Sequence, residues 1–174
     1  RVLASIASRV DQTKHPLLLR RPGAETGATI VIVITSDRGL CGSFNMNVVK
    51  AAMNHMAEET KDPVRDVAMA LVGRKGRDFF RRRAVKVRSE RVGAFQPLRY
   101  QTARELAEEL TQAFTSGEAD QVYLVYNEFK SVIQQRLVID RLLPIERHAV
   151  RPQEPGLDYL YEPEPAGIFA TLLP

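Results

Sequence analysis

The residues best placed for chemistry lie in one short loop, Ser36-Asp-Arg-Gly-Leu-Cys-Gly42, which follows an apolar run and precedes a helical pattern. In open α/β sheets this position commonly binds anions, because the free N–H groups that begin the helix attract negative charge. A phosphate-cradling loop, however, ends in Gly-Lys-Ser/Thr, and a dinucleotide loop reads Gly-x-Gly-x-x-Gly. Gly39 and Gly42 satisfy neither pattern. Nucleotide binding therefore stays an alternative that lacks its motif.

Cys41 lies in the same loop and is the one cysteine of the chain. A helix N-terminus favours a thiolate, so Cys41 is a candidate nucleophile. No suitable base stands near it in sequence, and a free cysteine is commonly a small core residue. We therefore expect a buried, inert thiol that packs the loop. A single cysteine cannot form an internal disulfide, which fits a reducing compartment.

Positive charge is concentrated in one part of the chain. The net charge is +4, but the stretch from Arg65 to Arg104 carries twelve Lys and Arg residues against three acidic residues. Such clusters neutralise phosphates, so a nucleic-acid module is a second alternative. The stretch lacks an aromatic-rich stacking motif, and we expect Phe79 and Phe80 to anchor a short helix to the sheet instead. We favour a solvated basic face over a nucleic-acid surface, because charge alone does not identify a partner.

The rest of the chain offers no catalytic set. No carboxylate pair and no Ser/His/Asp group can be assembled from it, and His15, His55 and His148 lack the spacing of metal ligands. The most apolar run, Thr29 to Thr35, is too short to cross a bilayer. We therefore expect no enzyme activity of its own, no cofactor and no membrane insertion.

Periodicity predicts the elements that position these residues. Unalternated or β-branched runs predict strands, and apolar residues at helical spacing predict helices. The strands are predicted at 28–35, 67–72, 85–87, 121–129 and 136–143, and the helices at 1–10, from Phe44 to about Met56, at 75–83 and from Thr102 to about Phe114. Thr102 and Glu105 form a capping-box pattern at the start of the last helix.

The order of these elements predicts an α/β fold. Strands alternate with helices early, and the last two strands are joined without room for a crossover helix. We expect a Rossmann-like layered domain with a mainly parallel sheet of about five strands, an antiparallel edge, and helices on both faces.

Four segments, in order, resemble the γ subunits of F-type ATP synthases. The first is Ile34-Thr-Ser-Asp-Arg-Gly-Leu-Cys-Gly42, followed by Asn45 and Asn47. The others are Val125 to Phe129, Arg136 to Pro144, and Tyr159-Leu-Tyr-Glu-Pro163 with the Leu-Leu-Pro174 ending. The resemblance runs over nearly the whole chain. It implies a non-catalytic rotor subunit that couples rotation of the c-ring to conformational change in the α3β3 ring.

The resemblance also implies partners and the residues that meet them. Arg38 and Lys50 match basic positions that face the acidic C-terminal region of the β subunits in the family. Met53 stands where another member has a further basic residue. Tyr159 and Tyr161 match a segment at the rotor foot, where γ meets the ε subunit and the c-ring. Tyrosine suits such an interface, although ordinary strand packing also accounts for both residues.

Domain organisation and location follow from the same resemblance. Residues 1–20 are interpreted as the last piece of the N-terminal shaft helix with its link, and residues 21–174 as the central α/β domain. The two long shaft helices of the family are expected to be largely missing from this sequence. Within the complex, the family lies on the cytoplasmic face of the bacterial inner membrane, with α, β and ε subunits and the c-ring as partners and no nucleic acid.

Overall fold

A computed structural model describes residues 15–19, 21, 27–39, 41–61, 65–131, 134–145, 167–168 and 171. Its regular elements are a 3-10 helix Pro16–Leu18, β1 Thr29–Ile34, α1 Phe44–Glu59, β2 Val67–Val72, α2 Arg74–Phe80, β3 Lys86–Arg91, α3 Tyr100–Ser116, β4 Gln121–Ser131 and β5 Gln134–Leu143. The helix predicted at 1–10 lies outside the described residues. The proposed division of the chain near residue 20 stays a prediction.

The strands form one five-stranded sheet with the order β3-β2-β1-β4-β5. β1 lies in the middle and pairs in parallel with β2 and with β4, while β2 pairs in parallel with β3. β5 pairs with β4 in the antiparallel direction and forms an edge. The predicted α/β class, with a mainly parallel sheet and an antiparallel edge, is therefore confirmed.

Strand side chains alternate between two cores, one on each face of the sheet. On one face Ile30, Ile32 and Val72 pack with Leu110 and Phe114 of α3. On the opposite face the odd-numbered residues of β1 and β2 pack with α1 and with Phe80 of α2. Because helices cover both faces, β1 and β2 are buried almost throughout, which explains their unalternated apolar sequences.

Two predicted boundaries are wrong in instructive ways. The basic helix predicted at 75–83 ends at Phe80, because the chain then turns and the Arg83 N–H donates to the Phe80 carbonyl. The strand predicted at 85–87 continues to Arg91. Parallel pairing with β2 satisfies its backbone whatever its side chains are, so a strand rich in charged residues still forms.

The capping box is also a wrong prediction. α3 begins at Tyr100, and no side chain caps it. The backbone N–H of Thr102 donates to the Arg99 carbonyl, so Thr102 lies inside the first turn rather than before it. Glu105 accepts a hydrogen bond from Gln101 instead. The helix ends in a left-handed cap at Gly117, whose φ is 87°.

The β4–β5 hairpin is longer than predicted. β1 pairs with β4 only over residues 121–125, whereas β5 accompanies β4 as far as Ser131. The far half of the hairpin is thus a two-stranded ribbon, and Phe129 and Leu137 on it are exposed. No helix within the described ranges is long and apolar enough to span a bilayer.

Candidate partner-binding site

The loop at residues 36–42 begins from a fixed anchor, Thr35, at the carboxyl end of β1. The buried Thr35 hydroxyl donates to the Val72 carbonyl at 3.1 Å and accepts from the Gly76 N–H at 2.8 Å. A Cβ atom at Gly73 would lie 2.0 Å from the Thr35 carbonyl oxygen. The absence of a side chain at Gly73 therefore lets α2 begin directly against the end of β1.

Asp37 joins this loop to the ends of two other strands. Its Oδ1 accepts hydrogen bonds from the backbone N–H groups of Arg74 and Gly93, both at 2.9 Å. Burial by itself raises the pKa of the carboxyl, but N–H donors from Gly93, Arg74 and Phe95 outweigh burial and hold the pKa below its ordinary value. Asp37 is thus an ionised clamp that ties together the loops after β1, β2 and β3.

The same clamp bears on the nucleotide alternative. The Arg74 N–H at the start of α2 is already taken by the Asp37 carboxylate. In the loop itself, Ser36 and Asn45 hydrogen-bond each other through their side chains. A phosphate at this end of the sheet would meet a fixed negative charge and side chains that are already paired, so the geometry argues against a nucleotide site here.

Arg38 follows the clamp and is exposed. Its Nη2 donates to Oε1 of Gln96 at 3.0 Å. The two side chains lie at the rim of a cavity of about 370 Å³ whose walls include Ile34, Phe44 and Phe95. Arg38 has no carboxylate partner within the described part of the chain, so its charge is available to another molecule.

Lys50 lies on α1, away from this cavity. It borders an open groove between α1 and the β5 edge, together with Asn54, Leu137 and Ile139. It is exposed, and among the described residues its ammonium group has no hydrogen-bond or ion-pair partner. The two predicted contact residues are therefore both accessible, but they face different depressions of the surface. Tyr159 and Tyr161, the other two predicted contacts, lie outside the described residues.

Cys41 corrects an expectation from the sequence. It is exposed rather than buried. Its thiol lies 3.4 Å from the Gly39 carbonyl oxygen and 3.7 Å from the Ser36 hydroxyl. The loop places Thr35 inward and turns outward before α1, so the cysteine is carried to the surface.

The basic stretch is partly neutralised inside the domain. Arg88 and Arg91 both contact Glu109 of α3, at 3.2 and 2.7 Å. Further pairs are Arg77–Asp78, Arg81–Glu90, Lys86–Asp66 and Arg88–Glu118. A phosphate-binding surface needs free cations, so this pairing argues against β3 as a nucleic-acid surface. Phe80 is fully buried and the half-buried Phe79 packs against the same core, so both rings anchor α2 to the sheet as expected.

Sequence reasoning missed two residues that shape the site. The sequence pattern gives Asp37 no separate role within the 36–42 loop, and it does not distinguish Gln96 from its neighbours. Gln96 lies 58 positions from Arg38, and only the folded chain brings the two together. The sequence offers only a weak signal for Gln96, since it is a polar residue in a short segment that contains Gly and Pro.

Comparison with known proteins bears on the family and on the fold of this chain. A family model described as ATP synthase matches residues 1–174. A protein named ATP synthase gamma chain from Chlorobium phaeobacteroides is 44% identical over 177 residues, covering 99% of this chain and 59% of that protein. One of the same name from Desulfitobacterium hafniense is 44% identical over 173 residues, covering 99% and 58%. The chain thus spans a little under three fifths of these relatives.

A solved structure agrees in fold. A chain of the central stalk and c-ring structure of the Tetrahymena thermophila mitochondrial ATP synthase superimposes with a TM-score of 0.57 at 23% identity, covering 99% of this chain and 82% of that one. Because the family model spans the whole sequence, the chain belongs to the ATP synthase family, alongside proteins named gamma chain.

Proposed function

We propose that this chain is the central α/β domain of a γ subunit, a non-catalytic part of the rotor in the F1 sector of a proton-translocating ATP synthase. The observation that carries the proposal is the 44% identity to proteins named ATP synthase gamma chain over 99% of this chain. The resemblance between this sequence and the γ family agrees with it in four separate segments.

A rotor needs no reactive residue of its own. It couples two processes by binding differently to different conformations of its neighbours, so its working parts are shaped and charged surfaces. The 36–42 loop fits that requirement. Thr35 and Asp37 hold its base rigidly, while Arg38 extends outward without a carboxylate partner among the described residues.

We assign Arg38 and Lys50 to contact with the acidic C-terminal region of the β subunits, and Tyr159 and Tyr161 to contact with the ε subunit and the c-ring. Two exposed cations on separate surfaces suit a partner that meets them at different rotary positions or through two of its copies. The domain would lie on the cytoplasmic face of a bacterial inner membrane and be held there through the complex. The bacterial origin of the two relatives supports that placement.

The assignment is tested by charge reversal in the full-length subunit. The double variant Arg38→Glu, Lys50→Glu should lower the number of protons pumped per ATP hydrolysed, because it places like charges against acidic β residues. The matched control Lys61→Glu, Arg104→Glu reverses two exposed cations that face carboxylates of their own helices or turns. Pumping per ATP that is equal in the two variants would remove the assignment.

A further inference from the structure

A second charged surface lies on α2 and the turn after it. Of the basic residues from Arg74 to Arg91, those on β3 have carboxylate partners within the domain. Within the described ranges, Arg74, Lys75, Arg82 and Arg83 have none. All four side chains are exposed. Within the described residues, these cations on α2 and the turn after it therefore lack a carboxylate in ion-pair contact, next to an edge strand whose cations have one.

These cations surround a groove rather than a flat surface. Lys75, Asp78, Phe79, Arg82 and Arg83 line an open depression of about 750 Å³. The Arg83 guanidinium lies 3.4 Å from the centroid of the Phe79 ring and donates to the Phe79 carbonyl at 2.9 Å. The Phe79 ring also meets the buried Phe80 ring edge-on at 5.2 Å. The aromatic wall of the groove is therefore held in place before any ligand arrives.

The groove adjoins the 36–42 loop. Atoms Nζ and Cε of Lys75 lie 3.4 and 3.5 Å from the position that a Cβ on Gly39 would occupy. The Lys75 backbone N–H also donates to the Ser36 carbonyl at 3.1 Å. Lys75 consequently bridges the loop that carries Arg38 and the groove that ends at Arg82.

We propose that this α2 groove, lined by Lys75, Phe79, Arg82 and Arg83, is a docking site for an acidic, amphipathic segment of a neighbouring protein subunit. Carboxylates of that segment would pair with Lys75 and Arg82, and an apolar side chain would pack beside the Phe79 ring, one face of which the Arg83 guanidinium already covers. The inference rests on the proposed function, since a rotor subunit works inside a protein assembly.

The chemistry of the groove favours a protein partner over a polyphosphate. Asp78 stands among the cations, and its pKa lies below the ordinary value because Arg77 hydrogen-bonds its carboxylate. A continuous run of phosphates would meet that fixed negative charge. A peptide can place separate carboxylates against Lys75 and Arg82 and leave Asp78 without an opposing charge. The apolar ring of Phe79 also has no counterpart on a phosphate backbone.

The test is photo-crosslinking in the assembled complex. The full-length subunit would carry p-benzoylphenylalanine in place of Ala84, which is exposed, follows the groove residue Arg83 in sequence, and makes none of the proposed contacts. It would be assembled with the other subunits of its own complex, purified and irradiated. We expect a crosslink to a partner-subunit peptide in which acidic residues outnumber basic ones. A crosslink to lipid, to a peptide without excess acid, or to nothing overturns the proposal.

Charge reversal then tests whether the groove holds that peptide. Lys75→Glu with Arg82→Glu should reduce the crosslink yield at least tenfold, and the milder Lys75→Gln with Arg82→Gln should reduce it less. The loss should shrink at high salt, where the charges are screened. The control Lys61→Glu, Arg104→Glu should leave the yield unchanged. Equal yields in all variants contradict the proposal.

Failure of this inference and failure of the proposed function have different results. If the complex assembles and pumps protons but gives no crosslink from position 84, the rotor assignment stands and the α2 groove is not a docking site. A full-length subunit that does not join the complex at all removes both.

Discussion

At the scale of single residues, the carboxyl end of the sheet depends on how closely Gly73 approaches Thr35. Gly73 has a backbone φ of 95°, a value that residues other than glycine rarely adopt. It also leaves no room for a Cβ, which would lie 2.0 Å from a backbone oxygen that cannot move away alone. The position therefore has both a conformational and a steric reason to be glycine.

Gly93 has the conformational reason to be glycine but not the steric one. It has φ of 77°, but nothing lies within 4 Å of the place where its Cβ would be. We expect Gly93→Ala to lower the free energy of unfolding by about 1 kcal/mol, from the positive φ alone. Gly73→Ala should lower it by about 3 kcal/mol or more, since strain and steric overlap add. Chemical denaturation of the two variants measures the difference, and equal losses would contradict the close approach.

The clamp at Asp37 shows how the same residues serve the site. Arg38 can be presented to a partner in one geometry only if the loop beneath it does not move, and Asp37 fixes that loop through backbone N–H groups from two other connections. Gln96 then limits where the guanidinium of Arg38 lies. A charged contact residue is more effective when it is held in place before binding, because less side-chain freedom is lost.

At the scale of elements, an ion-pair network ties β3 to α3. Glu109 on α3 contacts Arg88 and Arg91 on β3, and the three side chains are partly buried, with 20–27% of each exposed. Burial raises the pKa of Glu109, but hydrogen bonds and charge from Arg91, with Ser89 and Arg88, outweigh burial and lower it below the ordinary value. The pairing thus stabilises an edge strand that contributes little to either core.

The lowered pKa of Glu109 sets the sign of a pH effect. A carboxyl with a lower pKa in the folded state adds stability above its unfolded pKa and loses it as the pH falls through the folded value. Glu109→Gln should lower the free energy of unfolding by about 1–2 kcal/mol at neutral pH and by less below about pH 4. The control Glu108→Gln removes an exposed pair with Arg104 and should cost at most about 0.5 kcal/mol. Denaturation curves at several pH values test both.

The elements also mark what the sequence can predict. Both ends of β2 were predicted correctly, because its apolar run is buried on both faces and is bounded by polar residues and glycine. β3 was predicted three residues long. Its charged side chains do not have the apolar pattern of a strand. The strand forms because β3 hydrogen-bonds β2 and pairs with Glu109, and both interactions join residues far apart in sequence.

Local patterns failed where the folded chain offered a competing partner. Thr102 and Glu105 have the spacing of a capping box, yet the backbone turn at Arg99 starts the helix earlier. Cysteine is a residue type that is often buried in cores, yet Cys41 lies in a loop whose inward-facing anchor is Thr35, and Cys41 itself is exposed. Of the candidate site, the resemblance predicted Arg38 and Lys50, and their contact with a partner stays a prediction. The sequence could not predict the role of Gln96, because Gln96 lies 58 positions from Arg38 and contacts it only in the folded chain.

At the scale of the whole molecule, one sheet separates two cores that share no residue. Phe114 belongs to the core under α3, and Phe80 belongs to the core under α1 and α2. Both rings are essentially inaccessible to solvent. In the proposed rotor role the domain would pass force from one surface to another, so it matters whether the two cores respond independently.

Paired substitutions measure that independence. Phe80→Leu and Phe114→Leu should each lower the free energy of unfolding by about 1–2 kcal/mol, through lost contacts and a partly filled cavity. Because the rings have no common neighbour in either core, the double variant should lose the sum to within about 0.5 kcal/mol. Phe114→Leu with Leu110→Ala, two changes in one core, serves as the comparison and should deviate from the sum. If the pair on opposite faces deviates by as much as the pair within one core, the sheet transmits packing changes between its faces, and the two cores act as a single mechanical unit.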